Sequence, residues 1–204
     1  MMTFDVLIIG GGVAGMSCAL VLGSAASKPF ALDKKIGIVM HQRASALDRA
    51  LFNNVLGISP GTTGKEILIQ GKTQLANTYP HVIQIENEKV ISVEKTDTGF
   101  DVQTNKESYS STIIVVAVGP SNLFDIKGLN QYIEPHTNLP AIKQRIQLKN
   151  TDHKVDENLY VAGVLAGWRS QYPIAAGSGA QVATDILTSW NNGQTTMIHD
   201  SEPK

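Results

Sequence analysis

The chain has 204 residues, 42% of them hydrophobic and 17% charged, with 17 basic against 18 acidic residues and a net charge of −1. That is enough chain to bury the core of one α/β domain, and the balance of charge argues against a nucleic-acid or anionic-membrane surface. One cysteine excludes an internal disulfide, a Cys-x-x-Cys pair and a cysteine-based zinc site.

Phe4–Ile9 is a short apolar, β-branched run that stops at three glycines, the pattern of a buried parallel strand. Val13–Gly23 is small and aliphatic and ends at a glycine, as a helix does. Ile36–Met40 reads as a second strand, so the N-terminal segment is a β-α-β unit. Arg43–Leu51 is expected as a short helix, Asn53–Gly64 as a glycine-rich loop and Lys65–Asn77 as a helix. Val82–Ile85, Val90–Lys95 and Phe100–Thr104 are expected to form a small antiparallel meander, its last turn made by Thr96-Asp97-Thr98-Gly99. Thr112–Val118 is another buried strand, Ser121–Asn150 the least periodic stretch, Leu159–Ala162 a final strand and Ile174–Trp190 a final helix. Residues 1–190 form one domain in this reading and 191–204 a polar tail. No apolar run approaches the ~20 residues of a membrane span. The N-terminal residues lack the basic segment of a signal peptide, which makes a cytoplasmic setting the expectation.

Gly10-Gly11-Gly12-Val13-Ala14-Gly15 satisfies G-x-G-x-x-G between a strand and a helix. Gly10 permits the tight turn, Gly12 lets the backbone approach a diphosphate, and Gly15 lets the helix pack on the strand. The first N–H groups of the helix, at Val13 and Ala14, then face the phosphates with the helix dipole behind them. A carboxylate is expected at the end of the second strand to bind a ribose; Met40-His41-Gln42-Arg43 stands there instead. His41 and Gln42 are therefore the candidates facing adenosine. Arg43 suits the 2′-phosphate of NADP, which keeps an NADP-dependent dehydrogenase open as an alternative. Cys18, among Met16, Ala19 and Leu20, reads as a packing residue. The scattered histidines show no metal-ligand spacing.

Four segments in order make the chain resemble the FAD-binding half of the thioredoxin reductase-like family, within the pyridine nucleotide-disulfide oxidoreductases. They are the glycine motif, Asn54–Gly64, Val115-Val116-Ala117-Val118-Gly119, and Leu159–Gly163 with Gln171–Gly179. The resemblance implies an α/β fold: a single Rossmann-like FAD-binding domain with a parallel sheet, helices and a small antiparallel meander. It places Asn54 near the flavin, Ala117 and Gly119 over the nucleotide, and Val90 at the adenine. Gly163 and Val164 would lie beside the ribityl chain and diphosphate, and the backbone around Gln171 and Tyr172 at the flavin's pyrimidine edge, with Ser170 before them as a further cofactor-binding candidate. The chain departs from the family where Val164 replaces an aspartate, where Ser170 stands in an arginine's place beside Arg169, and where Val118 replaces a threonine. The family also inserts an NAD(P)H domain and its Cys-x-x-Cys between the landmarks that are Gly119 and Gly163 here, a span too short for the domain and without a cysteine, so both are missing. The implied function is an FAD-dependent oxidoreductase that exchanges electrons with an external donor or acceptor, including a partner protein. A non-catalytic flavin-binding or partner-docking module is the alternative, and a homodimer is the expected assembly.

Overall fold

The computed structural model describes residues 1–41, 46–196 and 198–199. Strand β1 (Met2–Ile9), helix α1 (Val13–Ser24) and β2 (Ile36–Met40) form the expected β-α-β unit. Of the helix expected over Arg43–Leu51, the described part holds a single 3-10 turn at Ala46–Arg49, and residues 42–45 lie outside the described residues. Leu51 instead opens a short strand, β3 (Leu51–Phe52), which pairs antiparallel with β4 (Thr62–Thr63) across the glycine-rich loop. Helix α2 (Gly64–Thr78) starts from a capping box: Thr63 Oγ1 accepts from Glu66 N–H, and Glu66 Oε2 accepts from Thr63 N–H at 2.7 Å.

Strands β5 (Ile83–Glu86), β6 (Val90–Thr96), β7 (Gly99–Thr104) and β8 (Ser108–Val116) follow. The 83–86 strand does not join the meander as expected. It lies parallel to β2, because α2 carries the chain across and returns it in the same direction. The antiparallel meander is β6-β7-β8, and Gly99, with φ of 151°, makes its first turn. Strand β8 ends at Val116 rather than Val118. The stretch expected to be irregular holds an antiparallel pair, β9 (Ile133–Pro135) with β10 (Ile146–Leu148). Then come β11 (Lys154–Asp156), β12 (Leu159–Val161) and α3 (Tyr172–Trp190).

The main sheet runs β11-β12-β8-β1-β2-β5, parallel from β12 to β5. Strand β8 pairs with β1 along one edge and divides its other edge, with β7 on Ser108–Ser111 and β12 on Ile114–Val116. Both faces of the sheet are covered, which is why β1 shows no polar alternation in its second half. Val6 and Ile8 pack with Ile38, Val115 and the inner sides of α1 and α3. Leu7 and Ile9 pack on the opposite face with Val39, Val93, Val102 and Val161. Cys18 is wholly buried in the first of these clusters, and burial pushes its thiol's pKa well up, as a packing residue requires. No helix among the described residues is long and apolar enough to cross a membrane.

Candidate functional site

The parallel strands finish in one row. Gly10 N–H donates to Val39 O, Ala117 N–H to Ile9 O, and Ala162 N–H to Val116 O, each at 2.8–2.9 Å. Gly10, His41, Ala117 and Gly163 therefore emerge together at the carboxyl end of the sheet, where open α/β sheets bind ligands.

Three of the glycines have a physical reason to be there. Gly10 sits at φ of 118°, and an added Cβ would come within 2.5 Å of Ala117 O. A Cβ on Gly15 would collide with Gly10 O, so the helix can sit this close to the turn only without one. Gly12 faces open space, with nothing within 4 Å of where a Cβ would stand. Gly12 is also the N-cap of α1, whose first turn has no side-chain cap and no acidic residue. The first N–H groups of the helix, including those of Val13 and Ala14, thus point toward an open, electropositive position that suits an anion.

Two cavities flank this loop. One, of about 210 Å³, is lined by Gly10, His41, Val90 and Gly119 together with Glu88 and Phe124. The other, of about 250 Å³, lies beyond Gly12 and Val13 between α1 and α2, and Tyr172 of α3 reaches its wall. In the first cavity His41 Nδ1 is buried without a hydrogen-bond partner. Glu88 Oε2 is held by Thr104 Oγ1 at 2.6 Å and Tyr109 OH at 3.1 Å, which keeps this buried carboxylate satisfied beside the ligand space. Hydrogen bonding to the carboxylate and burial together push the Tyr109 phenol up to about 12, burial being the larger cause. Lys89 Nζ and Asp125 Oδ2 form an ion pair of 2.7 Å on the cavity's rim.

The last segment closes on α1 from the side. Gly163 has φ of 76°, and its missing Cβ would lie 2.8 Å from Ala14 Cβ. Gly179 of α3 faces the Ala14 carbonyl so closely that no side chain fits there. Residues Gly163–Ala166 form a 3-10 turn that the 120–150 segment braces. His136 Nδ1 accepts from Asn138 N–H, so its Nε2–H donates to Val164 O at 2.8 Å. Asn138 Nδ2 donates to Gly167 O at 2.8 Å and Asn150 Nδ2 to Ala166 O at 3.2 Å. The place where an inserted domain is usual in the resembling family is thus filled by a small sheet that holds this turn.

Of the residues singled out in sequence, Gly10, His41, Val90 and Gly119 share one cavity, and Gly12, Val13 and Tyr172 share the other. Ala14, Gly15, Ala117 and Gly163 form the packed hub between them. Val164 contributes its carbonyl to His136. Ser170 and Gln171 are exposed at the uncapped start of α3. Asn54 is exposed on the β3–β4 loop, which the edge-on contact of Phe52 with Tyr172, 5.3 Å between ring centres, brings to the same helix start. Gln42 and Arg43 lie outside the described residues. Sequence reasoning missed Glu88, Tyr109 and the Lys89–Asp125 pair. A carboxylate two residues before a strand carries no motif; its pairing with Thr104 and Tyr109 exists only once the meander is folded. Trp168 is 45% exposed and covers the His153 ring at 5.1 Å. No group of three or more His, Cys, Asp or Glu able to hold a metal occurs among the described residues.

Comparison with known proteins gives a family match and several likenesses of sequence and fold. The family model described as pyridine nucleotide-disulphide oxidoreductase matches residues 4–167. An uncharacterized oxidoreductase CzcO of Bacillus velezensis is 28% identical over 196 residues, covering 90% of this chain and 52% of that protein. A ferredoxin–NADP reductase of Levilactobacillus brevis is 30% identical over 117 residues, 57% of this chain and 34% of its own length. The chain spans about half the length of the CzcO relatives it matches. Among solved structures, a thioredoxin reductase from Gloeobacter violaceus superposes with a TM-score of 0.75 at 14% identity, over 100% of both chains. A ferredoxin-flavin thioredoxin reductase from Clostridium acetobutylicum gives 0.69 at 18%, covering 94% of this chain and 99% of that one. These structural likenesses establish the fold.

Proposed function

Because the chain belongs to the pyridine nucleotide-disulphide oxidoreductase family, we propose that it binds FAD and serves as a flavin-dependent oxidoreductase supplied with electrons from outside. The observation that carries this is the pair of cavities on either side of one uncapped, glycine-floored helix start. An extended dinucleotide needs that arrangement: a nucleoside pocket, an anion site, then a second pocket for the other base. The residues fit the group. Gly12 leaves the approach to the helix open, and His41, whose Nδ1 has no hydrogen-bond partner, lines the cavity beside Gly10.

In this assignment Val90, Gly119 and His41 hold the adenosine, and Gly12, Val13 and Ala14 hold the diphosphate. The Gly163 turn runs beside the ribityl chain, and the start of α3 at Gln171 and Tyr172 meets the far ring, where the helix dipole favours negative charge. When bound, the flavin supplies hydride and electron exchange at its N5, and the protein supplies position and field. The electron donor and acceptor are external. The single cysteine is buried and high in pKa, so these residues offer no dithiol relay, and residues 120–162 form the short strands β9 to β12 rather than a second nucleotide fold. A homodimer formed around the flavin-bearing face belongs to the same proposal and is read by light scattering.

The test is the absorption spectrum of the purified protein between about 300 and 550 nm, with heat release of the ligand and its identification by mass. A flavin spectrum and released FAD support the reading. A colourless protein that takes up no added FAD refutes it. A bound flavin that neither NADH nor NADPH reduces under anaerobic conditions, alone or with a protein donor, moves the reading to a binding module. A colourless protein that binds NADPH restores the dehydrogenase alternative.

A further inference from the structure

Behind the Gly163 turn lies a chain of buried polar groups that takes no part in the two cavities. His153 is 2% exposed and Ser178 1%. Gly163 N–H donates to Ser178 Oγ at 2.7 Å, and His153 Nε2 lies 2.8 Å from the same oxygen. His153 reaches this position from a left-handed backbone, φ 70°, directly after Asp152 at φ 47°. Two consecutive side-chain-bearing residues in that region cost free energy and persist only where the surroundings impose them. Here Asn150 Oδ1 accepts from His153 N–H at 3.1 Å, and the Trp168 ring covers the imidazole.

The directions of these bonds follow from the charge and the tautomer of the ring. Burial pushes His153 below its ordinary value, against the opposing pull of Asp185 on α3 and the adjoining Asp152. The other neighbours, Ser178, Asn150 and Trp168, are uncharged, so the ring is neutral at physiological pH. With the other ring nitrogen donating to the Asp152 backbone, Nε2 of the neutral ring accepts a hydrogen bond from the Ser178 hydroxyl, and the serine oxygen accepts from Gly163 N–H. Protonation would put a donor on Nε2 and remove the acceptor that orients the Ser178 hydroxyl.

We propose that His153 is a positioning residue for the nucleotide site: by accepting from the Ser178 hydroxyl it fixes that oxygen as the acceptor of Gly163 N–H and holds the Gly163 turn against the first turn of α1. The contact it secures is tight. Gly163 meets Ala14, and Gly179, the residue after Ser178, meets the Ala14 carbonyl. Serine and glycine side by side on α3 therefore set the spacing between the turn and the helix start that faces the diphosphate. This inference rests on the reading of that helix start and turn as the wall of the FAD site.

The experiment uses the full chain and the variants Ser178→Ala, His153→Phe and His153→Gln. FAD affinity is followed by flavin fluorescence, and exchange of the Gly163 amide by NMR without added ligand. Ser178→Ala and His153→Phe are expected to weaken FAD binding about tenfold and to speed Gly163 exchange. His153→Gln, whose side-chain carbonyl also accepts from Ser178, is expected to restore both to within about twofold of wild type. Wild-type affinity declines on acidification as His153 protonates, and the glutamine variant loses that dependence. Equal losses in the phenylalanine and glutamine variants, or unchanged affinity and exchange in Ser178→Ala, would overturn the proposal. Should the wild type bind no FAD, the flavin reading fails by that result, and the amide exchange alone decides the relay: faster in Ser178→Ala supports it, equal refutes it.

Discussion

Replacing His41 with leucine is expected to strengthen the fold and weaken the ligand complex. The buried Nδ1 of His41 has no partner, and an unsatisfied buried polar atom costs about 1–3 kcal/mol. Leucine fills a comparable volume with no polar atom, and the side chain borders an existing cavity rather than a sealed core, so the change leaves no new void. With a urea slope of about 2 kcal/mol/M, a gain of about 1 kcal/mol moves the unfolding midpoint up by about 0.5 M. The bound state loses the hydrogen bond that would have used the orphaned nitrogen, a net loss of about 1–1.5 kcal/mol, or about tenfold in Kd for FAD. Urea denaturation without ligand and fluorescence titration with FAD measure the two effects on the same preparation. Opposite signs are the signature of a site that holds a polar group in readiness for a ligand. If the leucine variant is less stable than wild type and binds FAD equally well, His41 is a packing residue and the nucleoside assignment of its cavity is wrong.

Gly15→Ala is expected to abolish FAD retention and to lower stability by about 1–3 kcal/mol, despite alanine's better helix propensity, because its Cβ would meet Gly10 O and approach Ala117 Cβ at 3.3 Å; retained FAD and an unshifted melting curve would contradict the packing argument. Cys18 is wholly buried and its thiol is held protonated, so a thiol reagent should leave it unmodified in the native protein and label it fully in denaturant. Folding stability should fall with acidification through the histidine range, since burial keeps His153 below its ordinary 6.5 in the folded chain and the unfolded chain takes up that proton first. Asp185, lifted above its ordinary 3.8 by burial, acts the other way: its contribution is present at acid pH and is lost as pH rises through its folded-state value. The difference between wild type and His153→Gln, measured by urea unfolding from about pH 7 to about pH 5, isolates the histidine; no difference across that window would show that it does not titrate there.

The parallel core was legible because burial on both faces leaves a plain mark: Ile8 and Ile9 go to opposite clusters, so neither face of β1 needs a polar residue. The glycine loop was legible because Gly10 and Gly15 have no substitute at their close approaches. What the residues did not disclose depends on partners distant in sequence. Ile83–Glu86 carries the same residues in a meander as in a parallel edge; only pairing with β2 decides. The 46–52 segment has helical composition but too few residues before Phe52 is drawn to Tyr172. Residues 120–150 lack periodicity because β9 and β10 pair over three residues each, too short for alternation to show. The histidines looked scattered for a related reason. His136 and His153 act as hydrogen-bonding groups on one turn, and their common target, Gly163–Ala166, appears only in three dimensions.

The grip of Gly163 and Gly179 on Ala14 also constrains when the site comes into being. The fingerprint loop leaves the ribosome well before both surfaces that press on its helix, which lie more than 140 residues further along the chain. Domains acquire tertiary structure as units once their segments are available. Until α3 has emerged, α1 therefore has a glycine turn but no wall, and its apolar flank (Ala19, Leu22) faces the space that Val182 and Ile186 later fill. The walls of the glycine turn are thus completed only once residue 179 has emerged, and a nascent chain arrested before residue 163 would carry an intact nucleotide motif and have nothing to close it.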